Sequence, residues 1–502
     1  MLKSCYFWLL LLVGQAMLGQ SAIQLQGQAL EVLSSQTEDL EGFLFKPQFS
    51  PYPSQVFSFV RQVEAADESR YLYIYDLAAK SLIEVRTVTP NTGLTAPVED
   101  SLYQTVVFNE HLDWRPVLDE QERQWFAFVS NGTENNRDIY IGFAGGSNYI
   151  RLTNNPAVDT APKWSPDGNS IAFISRRSGN GDIYLVADVD KIISEVNRDP
   201  ARFRLVQLTD TPLEERHLDW NPDPASQLLA YSRLVRFPGR QVATFQIRIM
   251  DLSRAPLDRE YAVTNDPLTN YTRPRWDPQS GSRLLYTGQG ILQEAEANLY
   301  VSEMARDANG RIANKVLEDY RTEVFTGVRL TNSPALWLAG GEAVLCQKDS
   351  VEADYPIYSV NVRKWLEKEE RGVNEAADLN AQFPNISEFD ARKNNLIFID
   401  QEENGSRIYL AQVYGDDILP YKLPSYALEA TRARTLAQEA PAEPPVVTGG
   451  GGGNGKYLVG GGAVAATAAV VAYFLLKGNG NGNGDIQTIP IGMPPSAPGS
   501  GN

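Results

Sequence analysis

Two short segments hold every histidine in the chain: "NEHLDWRP" around Trp114 and "ERHLDWNP" around Trp220. Each sets an imidazole two residues before a carboxylate, His111 with Asp113 and His217 with Asp219. Imidazole and carboxylate are donors that a divalent metal accepts, so one reading is a metal site, and an enzyme using it, fed from both segments. The other reading is a single structural position visited twice by a repeating fold. Metal sites usually draw on tighter clusters than two pairs 106 residues apart. The structural reading is favoured, and neither a metal nor a cofactor is expected. "DPQSGS" (Asp277–Ser282) and "SGNGD" (Ser178–Asp182) offer oxygen ligands without the spacing of a calcium loop; they read as hairpin turns.

The elements that carry these residues recur. "APKWSPDGNSIAFISRRSGNGDIYLVAD", "HLDWNPDPASQLLAYSRLV" and "RPRWDPQSGSRLLYTGQG" each run from a Trp-x-Pro anchor through a turn into an alternating strand. A further strand follows, such as "DIYLV", "FQIRIM" or "NLYVS", and then "QLT", "AVT" or "RLT" opens the next unit. Short β-branched and aromatic runs bounded by turn residues are strands. The anchors are Trp114, Trp164, Trp220, Trp276 and Trp337, with weaker ones at Phe49 and Phe389, roughly 50–65 residues apart. Four strands at such a period predict an all-β fold, a β-propeller of four-stranded antiparallel blades. Seven anchors predict seven blades; the degenerate outer two leave six as the alternative. Ring closure would use Ala22–Leu33 beside the last blade, and Ala187–Phe203 and Asn361–Gly372 read as helices inserted between strands.

The segment before each anchor is then the innermost strand, beside the central channel. Alternation along that strand puts Trp114 and Leu112 on one face, His111 and Asp113 on the other. The positions just before the anchors are Gln48, Asp113, Lys163, Asp219, Arg275, Leu336 and Glu388. Through Asp113, Lys163, Asp219 and Arg275 the signs alternate, as charge pairing across blade boundaries requires. The candidate channel-lining residues are therefore His111, Asp113, Lys163, His217, Asp219, Arg275 and Glu388.

The unit Arg151–Val186, "RLTNNPAVDTAPKWSPDGNSIAFISRRSGNGDIYLV", resembles the repeat of the TolB-like β-propeller family. The resemblance covers roughly residues 40 to 425 and is most specific in the middle blades. It is similar as well to the propellers of prolyl-oligopeptidase-type peptidases, but no hydrolase domain with a G-x-S-x-G elbow follows. Nor does the stretch from 23 to 46 provide the α/β domain that precedes the propeller in TolB. The resemblance implies a binding platform and carries no catalytic residue across.

Composition and termini bound the setting. A net charge of −17 disfavours a nucleic-acid backbone as partner. Residues 1–20 form an apolar run with the features of a signal peptide, leaving Cys346 as the one cysteine of an exported chain and no internal disulfide. The propeller is assigned to 21–424, a short helix and a Pro/Gly-rich linker to 425–456, and a polar Gly/Asn/Pro-rich tail to 477–502. Between them the uncharged stretch Tyr457–Leu476 is long enough to span a bilayer as one helix, with Gly462 and Ala466 spaced for helix self-association. These readings predict a non-enzymatic, periplasmic, membrane-tethered propeller whose partners are envelope proteins. A ligand-binding sensor using the channel mouth is the alternative, and a metal-dependent enzyme the third.

Overall fold

Every aromatic anchor opens its own antiparallel sheet. The computed structural model describes residues 24–414 apart from short interruptions, of which 87–108 is the longest, together with Ile489–Pro490. The innermost strands are Phe43–Phe49, Asn109–Trp114, Asp159–Trp164, Glu215–Trp220, Thr269–Trp276, Ala335–Trp337 and Ile386–Arg392. From each, the chain steps outward through hairpins. In blade three, Asp159–Trp164 pairs with Ile171–Ser175, then Asp182–Ala187, then Arg204–Gln207. The count is seven blades, and the six-bladed alternative is set aside.

The core lies between blades rather than inside them. Phe57 and Phe59 of blade one share an apolar cluster with Ile397, Ile399 and Ile408 of blade seven. The other face of blade one meets blade two, where Val60 and Ile74 pack on Trp114, Phe126 and Phe128. Trp125 and Ile141 pack in turn on Trp164, Ile171 and Phe173 of blade three. Such side chains are essentially removed from water, each contributing ~2–3 kcal/mol, but only while the neighbouring blade is present. No blade could hold its own strands together alone.

The ring is closed by non-sequential pairing. Blade seven ends with Asn395–Glu402 and Gly405–Tyr414, and the latter pairs antiparallel with Leu30–Ser34 and Gln24–Leu25 from the start of the described chain. Ser35 fastens this seam: its amide donates to the Ser406 carbonyl at 2.8 Å, and the Ser406 amide donates to Ser35 Oγ at 2.7 Å. The expected closure beside the last blade is therefore formed, by two short strands, Gln24–Leu25 and Leu30–Ser34, in place of the single strand expected over Ala22–Leu33.

Short helices occupy part of both expected insertions, at Val189–Ser194 and Val362–Leu366. The first is more than a surface feature. Its Val189, Ile192 and Ile193 are buried in the cluster between blades two and three, and its Asp190 pairs with the buried guanidinium of Arg115. Among the described residues no helix is long and apolar enough to cross a membrane. The signal segment, the short helix after 425 and Tyr457–Leu476 lie outside the described residues.

Deleting the chain through Gln36 should leave Gly405–Tyr414 as an open edge and uncover the cluster at the seam. The melting midpoint, followed by circular dichroism, is expected to fall by more than about 5 °C; an unchanged midpoint would mean that the seam does not hold the ring.

Candidate binding channel

Five of the inner strands contain the same irregularity three residues before the anchor. Lys46, His111, Ala161, His217 and Arg273 all have left-handed backbone, with φ of 52°, 52°, 52°, 56° and 56°. At each of these sites the pairing with the second strand slips by a residue, as between Glu110 and Asp113 or Arg216 and Asp219. This is a β-bulge, which sets two residues of one strand against one of its partner. None of the five residues is β-branched, and histidine is among the residue types that tolerate this region best. The two histidines are thus equivalent positions of a repeat, shared with a lysine, an alanine and an arginine.

The bulge also corrects the expected alternation. Leu112 does not turn away from the channel, because the extra residue resets the phase; it lines the central cavity together with His111. That cavity, about 670 Å³, is bounded by all seven inner strands. The structure places His111, Lys163, His217, Asp219, Arg275 and Glu388 on its wall. Asp113 is not on the wall; its carboxylate, 13% exposed, is turned into the boundary between blades two and three.

At that boundary Asp113 does two things. One oxygen meets Lys163 Nζ at 2.6 Å, and the other accepts the backbone amide of the next anchor, Trp164, at 2.8 Å. Asp219 repeats the arrangement two blades on, accepting the Trp276 amide at 2.7 Å and meeting Arg275 Nη1 at 3.4 Å. The expected pairs Asp113–Lys163 and Asp219–Arg275 are therefore formed. Across the boundary between blades three and four the link is of another kind. There the Trp220 indole donates to the Lys163 carbonyl at 3.1 Å, as Trp337 does to the Arg275 carbonyl at 3.2 Å between blades five and six. Trp164 and Trp276, held by their backbone amides, leave their indole nitrogens without a partner.

The seam between blades seven and one uses the predicted Glu388 and one residue that sequence reasoning missed, Asp390. Asp390 accepts the Phe49 amide at 2.8 Å, and Glu388 accepts the Lys46 amide. Asp390 follows its anchor Phe389 instead of preceding it; the one signal was an acid on each side in "SEFDA". Arg273 was missed as well, although it occupies the same bulge position as the histidines.

Electrostatics weigh against a cation in this channel. Burial pushes the His217 imidazole down to about 3, with Arg273, Arg216 and Arg275 adding to the effect. His111 is likewise held well below its ordinary value, by burial first and then by Lys46. Both are neutral near pH 7 and stand among guanidinium and ammonium groups. No group of three His, Cys, Asp or Glu that could hold a metal ion occurs among the described residues. Cys346 is buried, and burial raises its thiol, which disfavours a reactive thiolate.

Blade edges carry a second recurring network. Asp182 accepts Thr209 Oγ1 at 3.2 Å, the Ile183 amide donates to the same hydroxyl at 2.8 Å, and Thr209 also reaches the buried Glu215 of the next blade at 3.0 Å. Asp138 and Thr153 repeat the first part of this pattern one blade earlier. Arg233 pairs with Glu215 at 2.8 Å, yet burial prevails and lifts this carboxyl to about 7.

Fold and channel together define a seven-bladed β-propeller of four-stranded antiparallel blades. No protein-family model matches the chain. A stretch of 47 residues is 55% identical to the Tol-Pal system protein TolB of Bordetella pertussis, covering 9% of this chain and 11% of that protein. The Tol-Pal system protein TolB of Desulfosudis oleivorans is 37% identical over 59 residues, 12% of this chain and 13% of that protein. A TolB homolog of Chlorobaculum tepidum is 29% identical over 117 residues, 23% and 25% of the two chains. These matches span between about a tenth and a quarter of the relatives' length. Among solved structures, a putative TolB from Agrobacterium tumefaciens is 18% identical, with a TM-score of 0.34 over 57% of this chain and 82% of that one. Oligogalacturonate lyase from Vibrio parahaemolyticus is 10% identical, with a TM-score of 0.47 over 80% and 100%. Superpositions this loose add nothing to the topology already described.

Two outcomes follow for the wall of the channel. Asp219→Ala strands a buried amide as well as Arg275, and should cost about 2–4 kcal/mol. Arg275→Gln loses only a contact of a side chain one-third exposed, and should cost under about 1 kcal/mol. Equal losses in chemical denaturation would show that the ion pair, not the amide, carries the link. For Glu215, a folded-state value raised above the unfolded one makes the protonated form stabilising. That contribution is complete below about pH 4.5 and is lost as pH rises through about 7. Wild-type stability should therefore fall more steeply than that of Glu215→Gln between about pH 5 and about pH 8; parallel profiles would contradict this.

Proposed function

We propose that the protein is a non-enzymatic binding platform of the cell envelope, whose propeller recruits other envelope proteins through its faces. The observation that carries this reading is the 47-residue stretch 55% identical to the Tol-Pal system protein TolB. By that likeness, the partners to look for are proteins of a Tol-Pal type of system. The seven-fold arrangement supports it physically, since loops between strands gather on two broad faces of a body whose rigidity comes from inter-blade burial. The guanidinium and ammonium groups standing around the two histidines disfavour a metal cation in the channel. The channel-lining set His111, Lys163, His217, Asp219, Arg275 and Glu388, with Asp113 behind it, serves in this reading to hold the ring.

Export through residues 1–20 would put the propeller in the periplasm, and Tyr457–Leu476 would then tether it to a membrane. A Gly-rich linker from Pro441 to Lys456 reaches ~20–24 Å, enough to keep the propeller near the bilayer while leaving it free to tilt. Pairing through Gly462 and Ala466 would bring two such anchors together. A second reading, a ligand-binding sensor, is favoured by one observation: the cavity of about 670 Å³ at the axis, within the size range of ligand pockets.

The tether and the platform are tested together. A chain ending after Thr448 should appear folded in the soluble periplasmic fraction while the full chain sediments with membranes. Tagged full chain, recovered from detergent-solubilised membranes and analysed by mass spectrometry, should bring envelope proteins with it in near-stoichiometric amounts. A truncated chain that still sediments sinks the tether; a full chain recovered alone sinks the platform.

A further inference from the structure

On the channel wall Arg273 forms no ion pair among the described residues. Lys46 pairs with Glu110 at 3.1 Å, Lys163 with Asp113 at 2.6 Å, and Arg275 with Asp219 at 3.4 Å. Arg273 faces the same cavity with only a 3.3 Å hydrogen bond to Thr272 Oγ1, and meets no carboxylate among the described residues. It stands beside a like charge, Arg275, and that neighbour together with burial disfavours its charged form. Two strained features coincide there: a left-handed backbone and an uncompensated guanidinium.

Next to it, at the equivalent bulge of blade four, His217 has a buried Nδ1 with no hydrogen-bond partner, as does His111 in blade two. Buried polar atoms are nearly always satisfied, and exceptions ask for a reason. A neutral imidazole supplies one donor and one acceptor, so His217 can donate to a bound oxygen without adding charge. The wall of the same cavity also carries apolar side chains, Leu112, Pro162, Leu218 and Leu336 among them, interspersed with polar ones such as Gln48, Asp219 and Glu388.

We propose that the channel binds a single carboxylate attached to an apolar body, with Arg273 as its fork and His217 as a second donor. A guanidinium without an ion-pair partner favours an anionic ligand, and its planar pair of N–H groups matches a carboxylate. The apolar side chains of the wall take the remainder of the ligand. Two sources share this chemistry: a free small carboxylic acid and the C-terminus of a polypeptide ending in an apolar residue. The proposal does not depend on recruitment by the propeller faces, so either can fail without the other.

The test is calorimetric titration of the intact protein with hexanoate, hexanamide, and a short peptide ending in leucine as free acid and as amide. The acids should bind and the amides should not. Arg273→Gln should weaken acid binding by at least about tenfold, without lowering the melting midpoint, since Arg273 holds no blade boundary. His217→Phe should weaken it by a smaller factor. A free-acid peptide binding more tightly than hexanoate identifies a polypeptide terminus as the source, and the reverse order a free acid. The proposal is overturned if amides bind as well as acids, if Arg273→Gln binds undiminished, or if no acid binds up to about 10 mM. Equal affinity for inorganic phosphate also overturns it, because the site would then select charge and not a carboxylate on an apolar body.

Discussion

The carboxylate of one inner strand accepting the backbone amide of the next blade's anchor is the contact on which the ring depends. Inner strands crowd the axis, and successive ones meet edge to edge without a shared ladder to pair their amides. An amide left buried there would cost about 1–3 kcal/mol. Asp113, Asp219 and Asp390 remove that cost at three boundaries, and tryptophan indoles bridge two of the others. The two devices are mutually exclusive at the anchors they serve: Trp164 and Trp276 are held through the backbone, Trp220 and Trp337 through the ring. A repeat that looks uniform in sequence is thus joined in two alternating ways.

The left-handed bulge belongs to the same solution. It bends the inner strand where it comes nearest the axis and resets the phase of its side chains. The anchor then packs outward into the inter-blade core while the residues before it face the cavity. The bulge position itself accepts side chains of different size and charge. Lysine, histidine, alanine and arginine all occur at the one position.

Much of this was legible in the residues. The Trp-x-Pro anchors, the turn chemistry after them and the "LT" segments marked the strands because each reports a local requirement: a buried indole, a positive φ, a hydroxyl that caps the strand beside it. The charge pairs Asp113–Lys163 and Asp219–Arg275 followed from their positions before the anchors. The bulge was not legible, since its strongest sequence markers, glycine and asparagine, are not used here and three of the five positions carry lysine, alanine or arginine. Strict alternation therefore misplaced Leu112. Asp390 was hidden because blade seven shifts its acid to the other side of the anchor. Arg273 was hidden because a missing counterion is a property of the assembled wall, and no window of sequence contains it.

The seam that unites the first and last strands has a bearing on how the molecule comes into being. Synthesis delivers Leu30–Ser34 at the outset, but their partner Gly405–Tyr414 emerges only after six blades have been made. Until then the early strand has no permanent neighbour and offers a pairing edge to any extended chain, while the apolar flank of blade one that meets blade seven stays uncovered. Contacts so distant along the chain are slow to form. Assembly therefore has a late step that waits on the whole propeller. Reopening the ring at this place would break the pairing of Leu30–Ser34 and uncover the cluster of Phe57, Phe59, Ile397 and Ile399 together, a cost that falls on the path to unfolding as well as on its end point.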